Sequence, residues 1–376
     1  MYKKLFFPVL FLSFSLNAFC QQSGNKPFIL EGKINLDSGE LKLSVVGDTS
    51  YYPPELRNIT VPIYGGIFQI KGQLPNPVAF TIVQRAYYYF SRMIVVQEGT
   101  QSVTNNINAT GEMPSIDNEE MKGYTDFRNA FAKVHQEETN DSLLEARLLE
   151  KHPHGLPDSI RIRLRENTDR HWIQRYEDLL AFVKTHPSSY ISFWHLVSLN
   201  MFGYERIFDE IFSNFSPEVQ HSYSGKVLAA NLKKAGLLGT GVKFPKMNLV
   251  DLNQDKSGTF LSAKSKYTLI NFWNSEGTQS TRDFAALTEV YNKYKAQGFQ
   301  IINIASDNVD DKERLDEAIK NTGIKWPQYW DQNGIGAKAL LVSLFPMSYL
   351  LDSDGTILKR NVRSQELADF LKKNMH

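Results

Sequence analysis

The chain has 376 residues, of which 42% are hydrophobic and 22% charged, and a formal net charge of +1. That size and balance suit two or three ordinary globular domains, and they give no basis for nucleic-acid binding or for attachment through a basic membrane-facing surface. Cys20 is the single cysteine, so the chain can form no internal disulfide and its domains need hydrophobic cores of their own.

At the N-terminus, Lys3 and Lys4 precede an apolar run from Leu5 to Leu16, followed by small and polar residues. The run is too short to span a bilayer and has the build of a secretory signal over residues 1–20, which predicts export to the periplasm or cell envelope. Cleavage after Ala18-Phe19-Cys20 leaves Gln21 first. Cleavage before Cys20 leaves that cysteine to carry a lipid, the one route to a membrane, and the bulky Phe19 fits such processing poorly.

Residues 27–112 read as strands. FILEGKINL, ELKLSVVG, VPIYGGIFQIKGQL, AFTIVQ and RMIVVQEG are alternating or β-branched runs bounded by Gly, Pro and Asn, which predicts a small antiparallel sandwich. Tyr87, Tyr88, Tyr89 and Phe90 form an aromatic cluster, expected to pack between sheets rather than serve as a carbohydrate platform. Over residues 115–238 the apolar spacing changes to three and four, so this block reads as a helical connector, with Pro187 and Pro217 as punctuation and Ser188 or Ser189 as a cap. Its histidines, among them His152, His154, His171 and His195, lack metal-ligand spacing.

Residues 240–376 alternate strand and helix. FPKMNLVDL, YTLINFW and FQIINIASD read as strands, TRDFAALTEVYNKYKAQ, DKERLDEAIKNTG and SQELADFLKKN as helices, and MSYLLDSDGTILKR as a hairpin turning at Asp352-Ser353-Asp354-Gly355. The expected fold is therefore multidomain α+β: an N-terminal antiparallel β-sandwich, a helical connector and a C-terminal α/β domain. The segment from Asp251 to Gly258 begins like a calcium loop, but Lys256 stands where the turn glycine belongs and Ser262 where the closing glutamate belongs; it reads as a polar hairpin, and no metal or cofactor is expected.

With these pieces in order, residues 241–376 resemble the thioredoxin-like domain of periplasmic or membrane-associated thiol-disulfide oxidoreductases and alkyl-hydroperoxide-reductase-type proteins. Residues 27–112 are similar to the small DUF4369-like β-domain that precedes such domains in Bacteroidetes proteins, on the FxLxGxI opening and the GGIFQIKGQLPNP middle. The resemblance implies a cis proline at Pro346, within Phe345-Pro346-Met347-Ser348, and a redox motif of the form FWASWCGPCRxE after Phe272 and Trp273. On that alignment Gly277 and Ser280 occupy the cysteine positions, Thr278 and Gln279 replace the central Gly-Pro pair, and Asp283 takes the acidic position.

This departure decides the chemistry expected. Disulfide exchange needs a thiolate that passes through a mixed disulfide; glycine has no side chain, and a serine alkoxide is inaccessible without a strong base. Ser275, Thr278, Ser280 and Thr281 read first as caps of the following helix and second as an anion site. The expectation is a redox-inactive module that holds a peptide or envelope protein in a groove formed by Trp273, Glu276, Thr278, Gln279, Phe345, Pro346 and Met347. The alternative is an enzyme of thioredoxin type, either thiol-disulfide oxidoreductase-like by family or using non-thiol chemistry at Ser280 with Glu276 or Asp283; for the latter, no histidine base accompanies the loop.

Overall fold

The computed structural model describes residues 24–153, 155–252, 256–257, 265–277 and 283–375. The N-terminal 23 residues with Cys20, His154, most of the calcium-like loop, and Thr278, Gln279, Ser280 and Thr281 lie outside them.

Nine strands build the N-terminal sheet: β1 (Lys26–Ile34), β2 (Ser38–Val45), β3 (Ile59–Tyr64), β4 (Ile67–Leu74), β5 (Val78–Gln84), β6 (Tyr89–Phe90), β7 (Ile94–Val96), β8 (Gly99–Asn105) and β9 (Ser115–Asp117). They form one hydrogen-bonded path, β6-β5-β2-β3-β4-β1-β8-β9, with β7 also on β5. Every pairing is antiparallel except β1 with β8, which run parallel from Phe28↔Gly99 to Ile34↔Asn105. That pairing joins segments separated by most of the sheet, the long crossover a parallel pair requires, and no local pattern announces it. The β3–β4 hairpin turns at Gly65-Gly66, both at positive φ (57° and 77°), as a two-residue turn between Tyr64 and Ile67 demands.

The helices at 119–122, 124–130, 132–151, 158–185, 190–200, 207–213, 217–221 and 223–235 follow the predicted block. Ser189 caps the helix Tyr190–Asn200, accepting from Ser192 N at 3.3 Å, and Ser216 accepts from Val219 N at 3.4 Å in front of Pro217. These helices are more than a connector. One hydrophobic core runs from Phe28 and Leu30 of the sheet through Phe127, Val183 and Trp194 to Leu228 and Leu232 of the helices. The helix Tyr190–Asn200 lies on β5 and β7, so β5 (VAFTIVQ) is buried at almost every position instead of alternating. Periodicity showed that each helix buries a face; it did not show against what.

The aromatic cluster departs from expectation. Tyr89 is buried, its hydroxyl donating to Asn105 Oδ1 at 3.0 Å, but Tyr87, Tyr88 and Phe90 are exposed, because β6 is the sheet's terminal strand.

Glu120 sits where the first helix meets the helix Tyr190–Asn200 and accepts from Tyr190 N at 3.1 Å. Burial, aided by nearby Glu218, pushes its carboxyl up to about 6 from the ordinary 4.5 despite that hydrogen bond. For an acid raised in the folded state, the stability present below the unfolded value is lost as pH rises through the folded one. Glu120→Gln keeps the acceptor and removes the titration. Its unfolding free energy should gain on the native chain by at most about 2 kcal/mol between acidic and neutral pH; superimposable urea-denaturation pH profiles would contradict this.

The C-terminal sheet comprises β10 (Val250–Asp251), β11 (Lys256–Ser257), β12 (Tyr267–Trp273), β13 (Phe299–Ala305), β14 (Gln328–Trp330), β15 (Met347–Asp352) and β16 (Ile357–Arg360), in the order β11-β10-β14-β13-β12-β15-β16. β12, β13 and β14 are parallel, and β12 is buried at all positions after Tyr267, as a strand covered on both faces must be. Helices Phe284–Tyr294 and Ser364–Asn374 close one face over Trp273, Phe284 and Leu367; Phe244, Leu249, Phe272 and Tyr349 form the core of the other. The FPKMNLVDL segment is shorter as a strand than expected: only Val250–Asp251 pairs, and Phe244 joins the domain through Phe244 N to Gly355 O at 2.8 Å. Asp352 accepts from Asp354 N and Thr356 N, both at 2.9 Å, with Gly355 at φ 78°, which fixes the final hairpin.

Candidate functional site

The carboxyl ends of β12, β13 and β14 and the start of β15 meet at one rim of the C-terminal sheet, where open α/β sheets place their sites. Antiparallel pairing of Phe272 with Met347 sets the residue before Met347 opposite Trp273, so the loop leaving β12 and the Phe345–Pro346 bond lie side by side. That bond is cis.

The loop after β12 is held from below. Asp307, two residues beyond the end of β13 and 3% exposed, accepts from Ser275 N at 3.0 Å and from the Ser275 hydroxyl, while its other carboxylate oxygen is buried without a partner. Arg314 donates Nε to Ser275 Oγ at 2.9 Å and pairs with Glu276 and Asp311, both at 3.2 Å. Gly277 N donates to Asn274 Oδ1 at 3.1 Å, a local turn. Sequence reasoning missed Asp307 and Arg314. The available signal for the first was an acid just past the end of a largely apolar strand; Arg314 is brought in only by its helix, Lys312–Thr322.

Not every expected groove residue is at the surface. Trp273 is fully buried and packs edge-on against Phe284 at 5.3 Å, so it shapes the rim from within and cannot touch a ligand there, and Met347, 7% exposed, lies mostly in the opposite core. They end or begin strands buried on both faces, which a motif alignment does not reveal. Glu276 is exposed, held by Arg314, and Phe345 and Pro346 are half-buried. Thr278, Gln279 and Ser280 lie outside the described residues, and Asp283 directly precedes the helix Phe284–Tyr294, making no side-chain capping hydrogen bond.

The segment leading into Pro346 is polar backbone flanked by apolar side chains. Among the described residues Ser343, Leu344 and Phe345 make no backbone hydrogen bond, and Leu341 and Leu344 are exposed. Beside them a cavity of about 440 Å³ separates the C-terminal domain from the N-terminal body. Ser306, Asn333 and Phe345 line one wall, Tyr51, Asn200 and Asn231 the other. Ser306 Oγ and Asn200 Oδ1 are buried there without partners, whereas Asn231 Nδ2 donates to Tyr51 Oη at 3.0 Å. Burial pushes the Tyr51 phenol up to about 12, so it stays protonated at neutral pH. The rim thus offers unpaired hydrogen-bonding groups beside apolar surface, the mixture a binding site uses, with no thiol among the described residues.

A parallel strand core covered on both faces, a cis proline opposite the loop after the central strand and a closing β-hairpin define the C-terminal domain as thioredoxin-like. Residues 240–360 match the AhpC/TSA family. The thiol-disulfide oxidoreductase ResA of Bacillus thuringiensis is 28% identical over 35% of this chain and 77% of its own length; ResA of Bacillus subtilis is 25% identical over 32% and 66%. The thioredoxin domain of a thiol-disulfide oxidoreductase from Bacteroides vulgatus is 26% identical over 36% of this chain and 98% of that one, with a TM-score of 0.33. A thioredoxin-like protein from Bacteroides caccae is 16% identical over 58% and 87%, with a TM-score of 0.44. The C-terminal domain is therefore thioredoxin-like and similar in sequence to thiol-disulfide oxidoreductases.

Proposed function

We propose that this is an exported, redox-inactive thioredoxin-like protein that binds an extended peptide or protein segment at the rim beside Pro346. The observation that carries the reading is a groove kept without its nucleophiles: the cis Phe345–Pro346 bond faces the loop after β12, while Gly277 stands at one cysteine position and the sequence places Ser280 at the other. Contact with an extended segment needs backbone donors and acceptors, not sulfur, and residues 343–345 leave theirs unpaired within the described fold. Exposed Leu344 and the adjoining cavity favour a segment with an apolar side chain next to an amide or hydroxyl one, which the unpartnered Ser306 and Asn200 atoms would meet. Export rests on the N-terminal Lys3-Lys4 and apolar run.

Isothermal titration of the full-length protein with a library of extended, cysteine-free peptides tests this. Phe345→Ala should weaken whichever peptides bind by roughly tenfold, about 1.4 kcal/mol, through lost apolar contact. Binding that is indifferent to Phe345→Ala, or the absence of any binder, would remove the groove as the site.

A further inference from the structure

A second site lies far from the thioredoxin rim in the fold, where the N-terminal sheet meets the helices. A cavity of about 600 Å³ opens between the segment carrying Arg92 and Met93 and the helices carrying Phe127, Phe131 and His195, and it adjoins a hollow of about 630 Å³ that shares Arg92, Arg128 and His135 with it. Its lining is divided. Met93, Met113, Phe127 and Phe131 make an apolar body, and three guanidinium groups, Arg92, Arg128 and Arg175, surround it.

Only the innermost cation is neutralised. Arg175 grips Glu138 with two hydrogen bonds, one of them at 2.8 Å, and its remaining nitrogen lies 3.3 Å from His135 Nε2. A guanidinium has no acceptor, so His135 must accept there and is neutral; burial and then Arg175 press its pKa down accordingly. His195 sits behind it, edge-on to Phe127 and Phe131 at 5.3 Å each. Its Nε2 is buried without a partner. Burial, with Arg175 next, pushes the ring down to about 4. Neither histidine adds charge at neutral pH, and neither needs an anion. Arg92 and Arg128 differ: both are exposed at the mouth, and among the described residues neither forms an ion pair, although Glu112 lines the adjoining hollow. Arg92 is aimed by its Nε donating to Gly111 O at 2.9 Å, and among the described residues its terminal nitrogens make no hydrogen bond.

We propose that this cavity binds a small carboxylate with an apolar body, the carboxylate held at the mouth by Arg92 and Arg128 and the body seated among Met93, Met113, Phe127 and Phe131. The volume suits a ligand of modest size, and a paired guanidinium mouth over an apolar floor selects that chemistry over a neutral molecule or a bare inorganic anion. A free acid and the C-terminus of a short apolar peptide share this chemistry.

The test is calorimetric titration of the full-length protein with 3-phenylpropionate, its neutral amide, and Ala-Ala-Phe with a free or amidated C-terminus. Expected is binding of one or both carboxylates, at least about tenfold weaker for the matching amide and for Arg92→Gln or Arg128→Gln. Raising salt from about 0.05 to about 0.5 M should weaken it further. Both substitutions are at exposed positions, and circular dichroism checks that the fold is kept. Phe345→Ala should leave this binding unchanged, which separates it from the rim site. Which of the two carboxylates binds identifies the source. Equal binding of acid and amide, no binding of either carboxylate, or wild-type affinity in both arginine variants would overturn the proposal.

Discussion

Trp194→Ala lowers the unfolding free energy of the N-terminal body by about 3–5 kcal/mol, the range for removing a large aromatic side chain from a packed core. Trp194 is fully buried on the helix Tyr190–Asn200 and donates Nε1 to Pro77 O at 3.1 Å, tying the helix to the entry of β5. Its ring meets Tyr52 at 5.1 Å, Phe193 at 5.4 Å and Tyr51 at 5.9 Å, and Tyr52 in turn donates to Ala79 O inside the sheet. The substitution leaves a cavity where sheet and helices join and removes one of the two donors to the Pro77 carbonyl, which keeps Asn76 Nδ2 at 2.7 Å. Because both layers share one core, the loss should appear as a lower urea midpoint for strand and helix signals together. The C-terminal domain, with cores of its own, should keep its transition. A loss below about 1 kcal/mol, or helices that melt while the sheet survives, would show that the two layers are not one unit.

The double substitution Gly277→Cys with Ser280→Cys should create disulfide reductase activity where the native chain has none, at least about tenfold over background. Two cysteines spaced as in the related oxidoreductases would stand before the helix Phe284–Tyr294, where the helix dipole favours a thiolate. The cis Phe345–Pro346 bond already lies alongside. Insulin-disulfide reduction with a dithiol donor measures it. Failure of a folded double variant to turn over would mean that the rim has changed shape as well as chemistry.

How far the sequence disclosed this architecture follows from which signals are local. YTLINFW and FQIINIASD are mostly apolar because strands covered on both faces have no solvent side, and β12 and β13 lie within them, their buried Asn271 and Asn303 paired with each other at 3.1 Å. Asp352 and Gly355 marked the last hairpin because tight turns accept few residue types. What depends on distant partners was not legible: the parallel β1–β8 pairing, the exposure of Tyr87, Tyr88 and Phe90 on a terminal strand, and the helices' common core with the sheet. At the rim the same division holds. Pro346 could be located by its place in the strand order, and Gly277 by its distance from Trp273. The burial of Trp273 and Met347, and the support of the loop by Asp307 and Arg314, arise only when β12, β13 and β15 are brought together.

The central claim is that sulfur chemistry has gone while the binding rim remains. It is tested most directly by following insulin-disulfide reduction with the purified native protein and, alongside, its Cys20→Ser form. The rate should equal that of the dithiol donor alone in both; turnover above that background which survives Cys20→Ser would contradict the account.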